Sequence, residues 1–275
     1  MIEIPQRRSY RIARRRRALT LIELVVVITI LIALSGLIIP MVQGLGFQTN
    51  AATNATVVDD VNRAISTYAT RFDSQPDAWD SMLNTSGTIF TKTHSSLRLA
   101  TTPLVAPTAL TDLQLESLAR AGIFNVRDSV EASTLSPSMN NESVRVLATR
   151  NSDGTFSFGS NKTLLCLTTT GTGDSRRPVL NAGFSVNQYQ DGDWGNDFVV
   201  LGLGQSSSLQ GSAAMLVPLI QSADPTNNYA RVCCVYMVPS SSPNATVFPA
   251  RYVGCFLPDG TTARDNISRY NNSEP

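Results

Sequence analysis

The first pattern along the chain is an almost continuous apolar run from Ala18 to Ile39, which contains a single charged residue, Glu23. A helix of this length would extend about 33 Å, which is enough to cross the hydrocarbon core of a bilayer. Several arginines precede the run, and positive charge on that side predicts a cytoplasmic N-terminus. The pattern therefore predicts one membrane-spanning helix, with everything after Pro40 on the far side.

Two ordinary explanations compete for this run. A cleaved secretory signal has a shorter apolar core, of about 7–15 residues, and Ile38-Ile39-Pro40 is a poor cleavage site. A plain membrane anchor fits the length and the charge but leaves Glu23 without a role. A carboxylate inside an apolar region costs a few kcal/mol and marks a functional residue, unless it lies at the interface with water. The residues alone leave these two interpretations of Glu23 equally open.

An amphipathic pattern follows the apolar run. Five apolar residues repeat at spacings of three or four: Val57, Val61, Ile65, Tyr68 and Phe72. This spacing is typical of one face of a helix. It predicts that the helix continues over residues 41–74, packs on a sheet through this face, and ends at the Pro-containing stretch 73–76.

Residues 75–275 are predicted to form a globular α+β head. A short turn or helix at 77–83 is expected to place Trp79 against the core, and residues 85–109 are expected to be irregular. A helix is predicted at 111–120, with Thr111 as its N-cap and Gln114 as the capping-box partner. Eight segments rich in β-branched and aromatic residues predict strands. These strands are 123–126, 144–149, 155–158, 163–168, 198–203, 215–220, 230–238 and 247–257.

Composition and charge narrow the range of functions. The chain has 275 residues, of which 42% are hydrophobic and 16% charged, and its formal net charge is +1. Seven arginines lie in the first 17 residues, so the rest of the chain carries 15 basic and 20 acidic side chains. An acidic body lacks the basic field that attracts nucleic acid, so no nucleic-acid partner is expected. No convergent catalytic cluster or nucleophile motif is evident, so the protein is not expected to be an enzyme.

The order of residues at the start of the apolar run carries a more specific signal. The sequence Ala18-Leu19-Thr20-Leu21-Ile22-Glu23 follows a basic leader and resembles the processing motif of type IV prepilins and type II secretion pseudopilins. That family has a small residue before the cut, usually glycine, followed by an apolar residue, threonine, two aliphatic residues and glutamate. Ala18 stands in the position of the glycine, and Leu19 in that of the usual phenylalanine.

The resemblance implies a leader peptide at 1–18 that prepilin peptidase removes between Ala18 and Leu19, with N-methylation of Leu19. It implies that Glu23 meets the N-terminal amine of a neighbouring subunit, which offsets the cost of burying the carboxylate and sets the register of assembly. Pro40 corresponds to the helix-bending proline of many pilins, so we expect a bend or a looser helix around it. A helix end at Pro40 is the alternative.

The implied fold is pilin-like. A transmembrane and assembly helix at 19–40 continues as the amphipathic helix at 41–74. This long N-terminal helix packs on a mainly antiparallel β-sheet in the head at 75–275.

A second local resemblance concerns residues 191–200. They are similar to the Asp-x-Trp-Gly-Asn turn that precedes a strand in major pseudopilins, which bind calcium in a nearby loop. The resemblance implies oxygen ligands for calcium from Asp191, Asp193, Asn196 and Asp197. A turn with solvated acidic side chains is the alternative, and no other cofactor is expected.

The chain contains four cysteines but no CxxC pair, which argues against zinc. Cys233 and Cys234 are adjacent and could bridge each other only with strain. If the head is exported, a disulfide between Cys255 and either Cys233 or Cys234 fits neighbouring strands. Small buried thiols are the alternative.

The sequence therefore predicts a structural subunit of a type IV pilus-like or type II secretion pseudopilus filament. Its expected partners are copies of itself or other pilins, prepilin peptidase and an inner-membrane assembly platform. Its expected location is the bacterial inner membrane, with a single pass and the head in the periplasm or outside the cell. A simple membrane-anchored periplasmic or surface protein and a DNA-uptake minor pilin are the alternatives.

Overall fold

The computed structural model describes residues 20–90, 93, 97, 104–129, 142–167, 196–212, 229 and 231–272. The helices are α1 (Leu21–Phe72), α2 (Asp112–Ala121), α3 (Leu209–Ser212) and α4 (Ala263–Asn272). The strands are β1 (Trp79–Asn84), β2 (Val105–Ala109), β3 (Asn125–Ser129), β4 (Glu142–Val146), β5 (Ala148–Arg150), β6 (Phe156–Phe158), β7 (Thr163–Leu167), β8 (Asn196–Gly202), β9 (Cys233–Pro239) and β10 (Arg251–Phe256). The chain divides into two compact units, with the boundary between Gly46 and Phe47.

Eight of these strands form one mixed sheet in the second unit. Its main path runs β10-β9-β8-β1-β3-β4, while β7 also pairs with β8, and β2 pairs with β7. Strands β1 and β3 are parallel, and the chain between them makes the crossover that a parallel pair requires, which includes α2. Of the seven strand pairings described in this sheet, this one is parallel and the other six are antiparallel, so the sheet is mixed but mainly antiparallel, as predicted. Strands β5 and β6 form a separate two-stranded sheet.

Each face of the large sheet has its own apolar core. Alternate residues of a strand point to opposite faces, so Val199 and Leu201 of β8 lie in one core, and Phe198 and Val200 lie in the other. Within the second unit, α1 covers the first face through Val58, which is 1% exposed, and neighbouring apolar side chains. Of the predicted stripe on α1, Val61 and Ile65 are buried, Val57 and Tyr68 are half-buried, and Phe72 is exposed.

Helix α2 also packs in the core on the face that α1 covers, and its local sequence determines where it begins and ends. The Thr111 hydroxyl accepts a hydrogen bond from the Gln114 N–H, and the Gln114 side chain accepts one from the Thr111 N–H, so the predicted capping box is confirmed. Gly122 ends the helix in the left-handed region, with φ 101°, where glycine is favoured. Gln114 is thereby fixed beside β8, where its side-chain amide donates a hydrogen bond to Asp197.

The membrane prediction is overturned. Among the helices of the described residues, none is both long and apolar enough to cross a membrane. The transmembrane helix predicted at 19–40 is therefore wrong, and so is the single-pass inner-membrane location inferred from it.

Candidate functional site

The most unusual surface of the described residues is the first part of α1. Twelve large apolar side chains are each between 46% and 81% exposed: Leu21, Ile22, Leu24, Val25, Val26, Val27, Ile28, Ile30, Leu31, Ile32, Leu34 and Ile38. Because many of them are consecutive on a helix, they point in every direction around its axis. We refer to residues 21–38 as the apolar segment. Contiguous exposed apolar surface of this kind marks a site of association.

The apolar segment begins at a reciprocal hydrogen-bonded cap. The Thr20 N–H donates to Glu23 Oε2 over 2.9 Å, and the Glu23 N–H donates to Thr20 Oγ1 over 3.4 Å. This is a capping box, with Thr20 as N-cap and Glu23 in the third helical position. A negative charge in the first turn also interacts favourably with the helix dipole. Glu23 therefore stabilises the start of its own helix, a role that the sequence analysis missed.

The same contacts affect the titration of Glu23. Hydrogen bonds from the Thr20 backbone and then from its side chain lower the pKa of the Glu23 carboxyl below its ordinary value of 4.5. Because the folded pKa lies below the unfolded one, the charged cap contributes fully above the unfolded pKa. Its contribution is lost as the pH falls through the folded pKa.

The other predicted assembly and processing residues stand as follows. Ala18 and Leu19, on either side of the predicted cut, lie outside the described residues, and Thr20, the next residue, is exposed. Pro40 lies inside α1, which continues to Phe72, so the helix does not end there. Cleavage and N-methylation stay predictions.

The predicted calcium ligands are only partly described. Asp191 and Asp193 lie outside the described residues, whereas Asn196 and Asp197 are the first two residues of β8. Asp197 Oδ2 accepts hydrogen bonds from Gln114 Nε2 over 2.7 Å and from the Ser241 N–H over 3.0 Å. Asp197 therefore ties α2 and the chain after β9 to the sheet. No cluster of three or more His, Cys, Asp or Glu side chains suited to a metal occurs in the described part of the chain. The calcium site stays a prediction.

All four cysteines are buried and present as free thiols. Cys255 of β10 stands directly opposite Cys234 of β9, and Cys233 stands opposite Phe256. The pairing of strands that the disulfide prediction required is therefore present, with Cys234 in the position to face Cys255.

A buried ionic network was not anticipated from the sequence. Arg145 of β4 donates from Nε to Asp128 Oδ2 over 2.7 Å and from Nη2 to Asp128 Oδ1 over 2.8 Å. The Ser81 hydroxyl donates to the same carboxylate, and Arg145 Nη1 donates to the carbonyl oxygens of Asn161 and Thr163. Residues 125–129 contain a single apolar residue, Val126, so their pattern of polar and apolar positions provided no signal for this network. These contacts join β1, β3, β4 and β7, so the network supports the sheet.

A scan against protein-family models and searches of curated proteins and of solved structures found no match to this chain.

Proposed function

We propose that the protein is a structural subunit that assembles into a filament of the type IV pilus or type II secretion pseudopilus kind. Copies of the chain would associate through the apolar segment of α1 after prepilin peptidase cuts between Ala18 and Leu19. The observation that carries this proposal is the exposure of twelve large apolar side chains on one helical stretch. The resemblance of residues 18–23 to the prepilin motif supplies the class of assembly.

The energetics favour association of this segment. Burial of one large apolar side chain stabilises a complex by about 1.5–3 kcal/mol. Association of two chains costs about 4–15 kcal/mol in lost freedom of motion. Burial of about half of the exposed side chains would offset that cost. Side chains on all sides of the helix allow contacts with several neighbours at once, as a filament requires.

Glu23 can take part in this assembly without losing its capping hydrogen bond to Thr20. The cap hydrogen bond uses Oε2, and an ionised carboxylate can accept about four hydrogen bonds in all. The carboxylate can therefore keep its bond to Thr20 and also meet the N-terminal amine of a neighbouring subunit. Pairing of the two charges would offset the loss of water around each of them.

Replacing Ile30 by arginine should reduce assembly at least about tenfold, because a charge buried between helices without a partner is strongly unfavourable. Arginine is a good helix former, so the helix itself should not weaken. Thr67→Arg, at an exposed position of the same helix, is the matched control and should assemble normally. Sedimentation and electron microscopy of the full-length chain measure the result. Normal filaments from the Ile30 variant would overturn the proposed assembly surface.

Replacing Glu23 by glutamine separates the charge of this residue from its role in the cap. Glutamine can complete a capping box, so the helix start should survive, whereas the charge that pairs with the amine is lost. We expect assembly to fall at least about tenfold, by roughly the strength of one desolvated charge pair. Thr20→Ala is the control: it weakens the cap but keeps the charge, and it should assemble.

The readout for both variants is filament yield together with N-terminal mass spectrometry in cells that contain prepilin peptidase. The mass identifies any variant in which the leader remains attached, so that failed processing is not mistaken for failed assembly. Equal filament yields from processed Glu23→Gln and wild-type chains would show that the carboxylate charge does not set the register.

A further inference from the structure

Two of the four cysteines face each other across neighbouring strands. Cys234 of β9 and Cys255 of β10 are directly opposed in an antiparallel pair. Directly opposed residues point to the same face of a sheet, with Cα atoms about 4.5–5.5 Å apart. That separation lies inside the range of about 4.4–6.8 Å in which disulfides form.

Both thiols belong to the core that α1 covers. Cys255 Sγ lies 3.5 Å from the carbonyl oxygen of Val58 and 3.4 Å from Asn62 Oδ1, both on α1. Cys234 and Cys255 are at most 1% exposed and belong to the same core as Val58. The pair therefore lies between β9, β10 and the helix.

The other two cysteines are badly placed to bridge to this pair. Cys233 points to the opposite face, where its Sγ lies 3.5 Å from Met82 Sδ. Cys166 is on β7, which is separated from β9 by β8. Two strand spacings are roughly 10 Å, beyond the ~7 Å limit for a bridge.

We propose that Cys234 and Cys255 form a specific oxidisable pair that closes into a cross-strand disulfide, while Cys166 and Cys233 stay thiols. The oxidant is a disulfide, either a small one such as glutathione disulfide or that of a thiol oxidoreductase. One cysteine thiolate attacks it to give a mixed disulfide, and the second cysteine thiolate then displaces the remaining thiol. Two S–H bonds of the protein are replaced by one S–S bond, and the two electrons and two protons convert the oxidant to its two thiols.

The position of the pair under α1 determines when the reaction occurs. A disulfide oxidant must reach a thiolate, and the helix covers both sulfurs in the folded chain. Burial also raises the pKa of the Cys234 thiol well above its ordinary value, which further reduces the thiolate. The bond therefore forms before α1 packs on the sheet. The Tyr252 hydroxyl, which donates to Asn62 Oδ1 over 2.6 Å, keeps α1 tied to β10 once the Cys255 proton is gone.

Refolding of the reduced full-length chain in a glutathione redox buffer tests the proposal. We expect two of the four thiols to be lost when they are counted after denaturation, and the midpoint of thermal unfolding to rise by about 5–10 °C relative to the chain refolded under reduction. Trypsin cuts after Arg231, Arg251 and Arg264, so the bridge should join fragment 232–251 to fragment 252–264. Four free thiols, or a bridge that contains Cys166, would overturn the proposal.

Single variants distinguish Cys234 from its neighbour, because Cys233 lies on the same fragment. Cys233→Ala and Cys166→Ala should keep the link between the two fragments, whereas Cys234→Ala should lose it. If any variant does not fold, fragmentation of the linked wild-type peptides still identifies the bridged residue. Loss of the link in Cys233→Ala, or fragments that place the bridge at Cys233, would contradict the pairing.

Discussion

Replacing Arg145 by alanine should lower the free energy of unfolding by about 3–5 kcal/mol, because it leaves the Asp128 carboxylate buried without its counter-charge. The side chains of Arg145 and Asp128 are only 10% and 5% exposed, and two hydrogen bonds join them. The change also removes the donor to the carbonyl oxygens of Asn161 and Thr163. Urea unfolding, monitored by tryptophan fluorescence, measures the loss.

The matched control for this prediction is Arg63→Ala. Arg63 and Asp59 form an ion pair on α1 with side chains 77% and 55% exposed. Water screens such a pair, so its loss should change the free energy of unfolding by less than about 1 kcal/mol. Similar losses in the two variants would show that burial of the Asp128–Arg145 pair has no special weight.

Replacing Trp79 by alanine should also lower the free energy of unfolding by about 3–5 kcal/mol, since it leaves a large cavity in the core. Trp79 is fully buried, its ring packs edge-on against Tyr236 at 5.6 Å, and its Nε1 donates to the Pro76 carbonyl oxygen. Thermal and urea unfolding measure the effect by circular dichroism, because the substitution removes one of the two tryptophans and so changes the fluorescence signal itself.

Phe72→Ala provides the comparison for Trp79, because Phe72 is an aromatic residue that is 44% exposed at the end of α1. Its removal should cost less than about 1.5 kcal/mol. An equal effect at both positions would mean that Trp79 does not anchor the core as its burial indicates.

Local signals in the sequence predicted local structure well. Thr111 and Gln114 define their capping box within four residues, so no distant contact is needed to recognise it. The predicted strand 163–168 corresponds to β7, and 230–238 contains most of β9, because each is a nearly continuous apolar run between polar stretches.

Elements that depend on distant partners were missed. Residues 85–109 were expected to be irregular, yet β2 forms there because Pro107 pairs with Leu165 of β7. Proline is tolerated in such a position at the margin of a sheet. Trp79 was correctly expected in the core, but as part of a turn or helix. It lies in β1, whose partners β3 and β8 come much later in the chain.

Glu23 has a capping role that its position in the apolar run made easy to overlook. Glu23 stands out in the sequence because its charge interrupts an apolar run, and such a charge suggests a role at a membrane or against a neighbouring subunit. Thr20 and Glu23 have the same spacing as Thr111 and Gln114, so the cap at the start of α1 was equally readable. The resemblance to a prepilin motif drew attention to Glu23 as an assembly residue, whereas the spacing of Thr20 and Glu23 also indicates a helix N-terminus.

The position of β8 in the sheet has a consequence for synthesis on the ribosome. This strand pairs with β1, β7 and β9, and its contact with β1 joins Asp80 to Gly202. The sheet therefore cannot close until nearly three-quarters of the chain has been made, and contacts so distant in sequence form slowly. Throughout that time Val58, Val61 and Ile65 have no completed sheet to cover, although they are among the first residues to emerge. The nascent chain thus exposes two apolar surfaces at once, the apolar segment and the face of α1 that contains these three residues. Only the second is buried when the head folds.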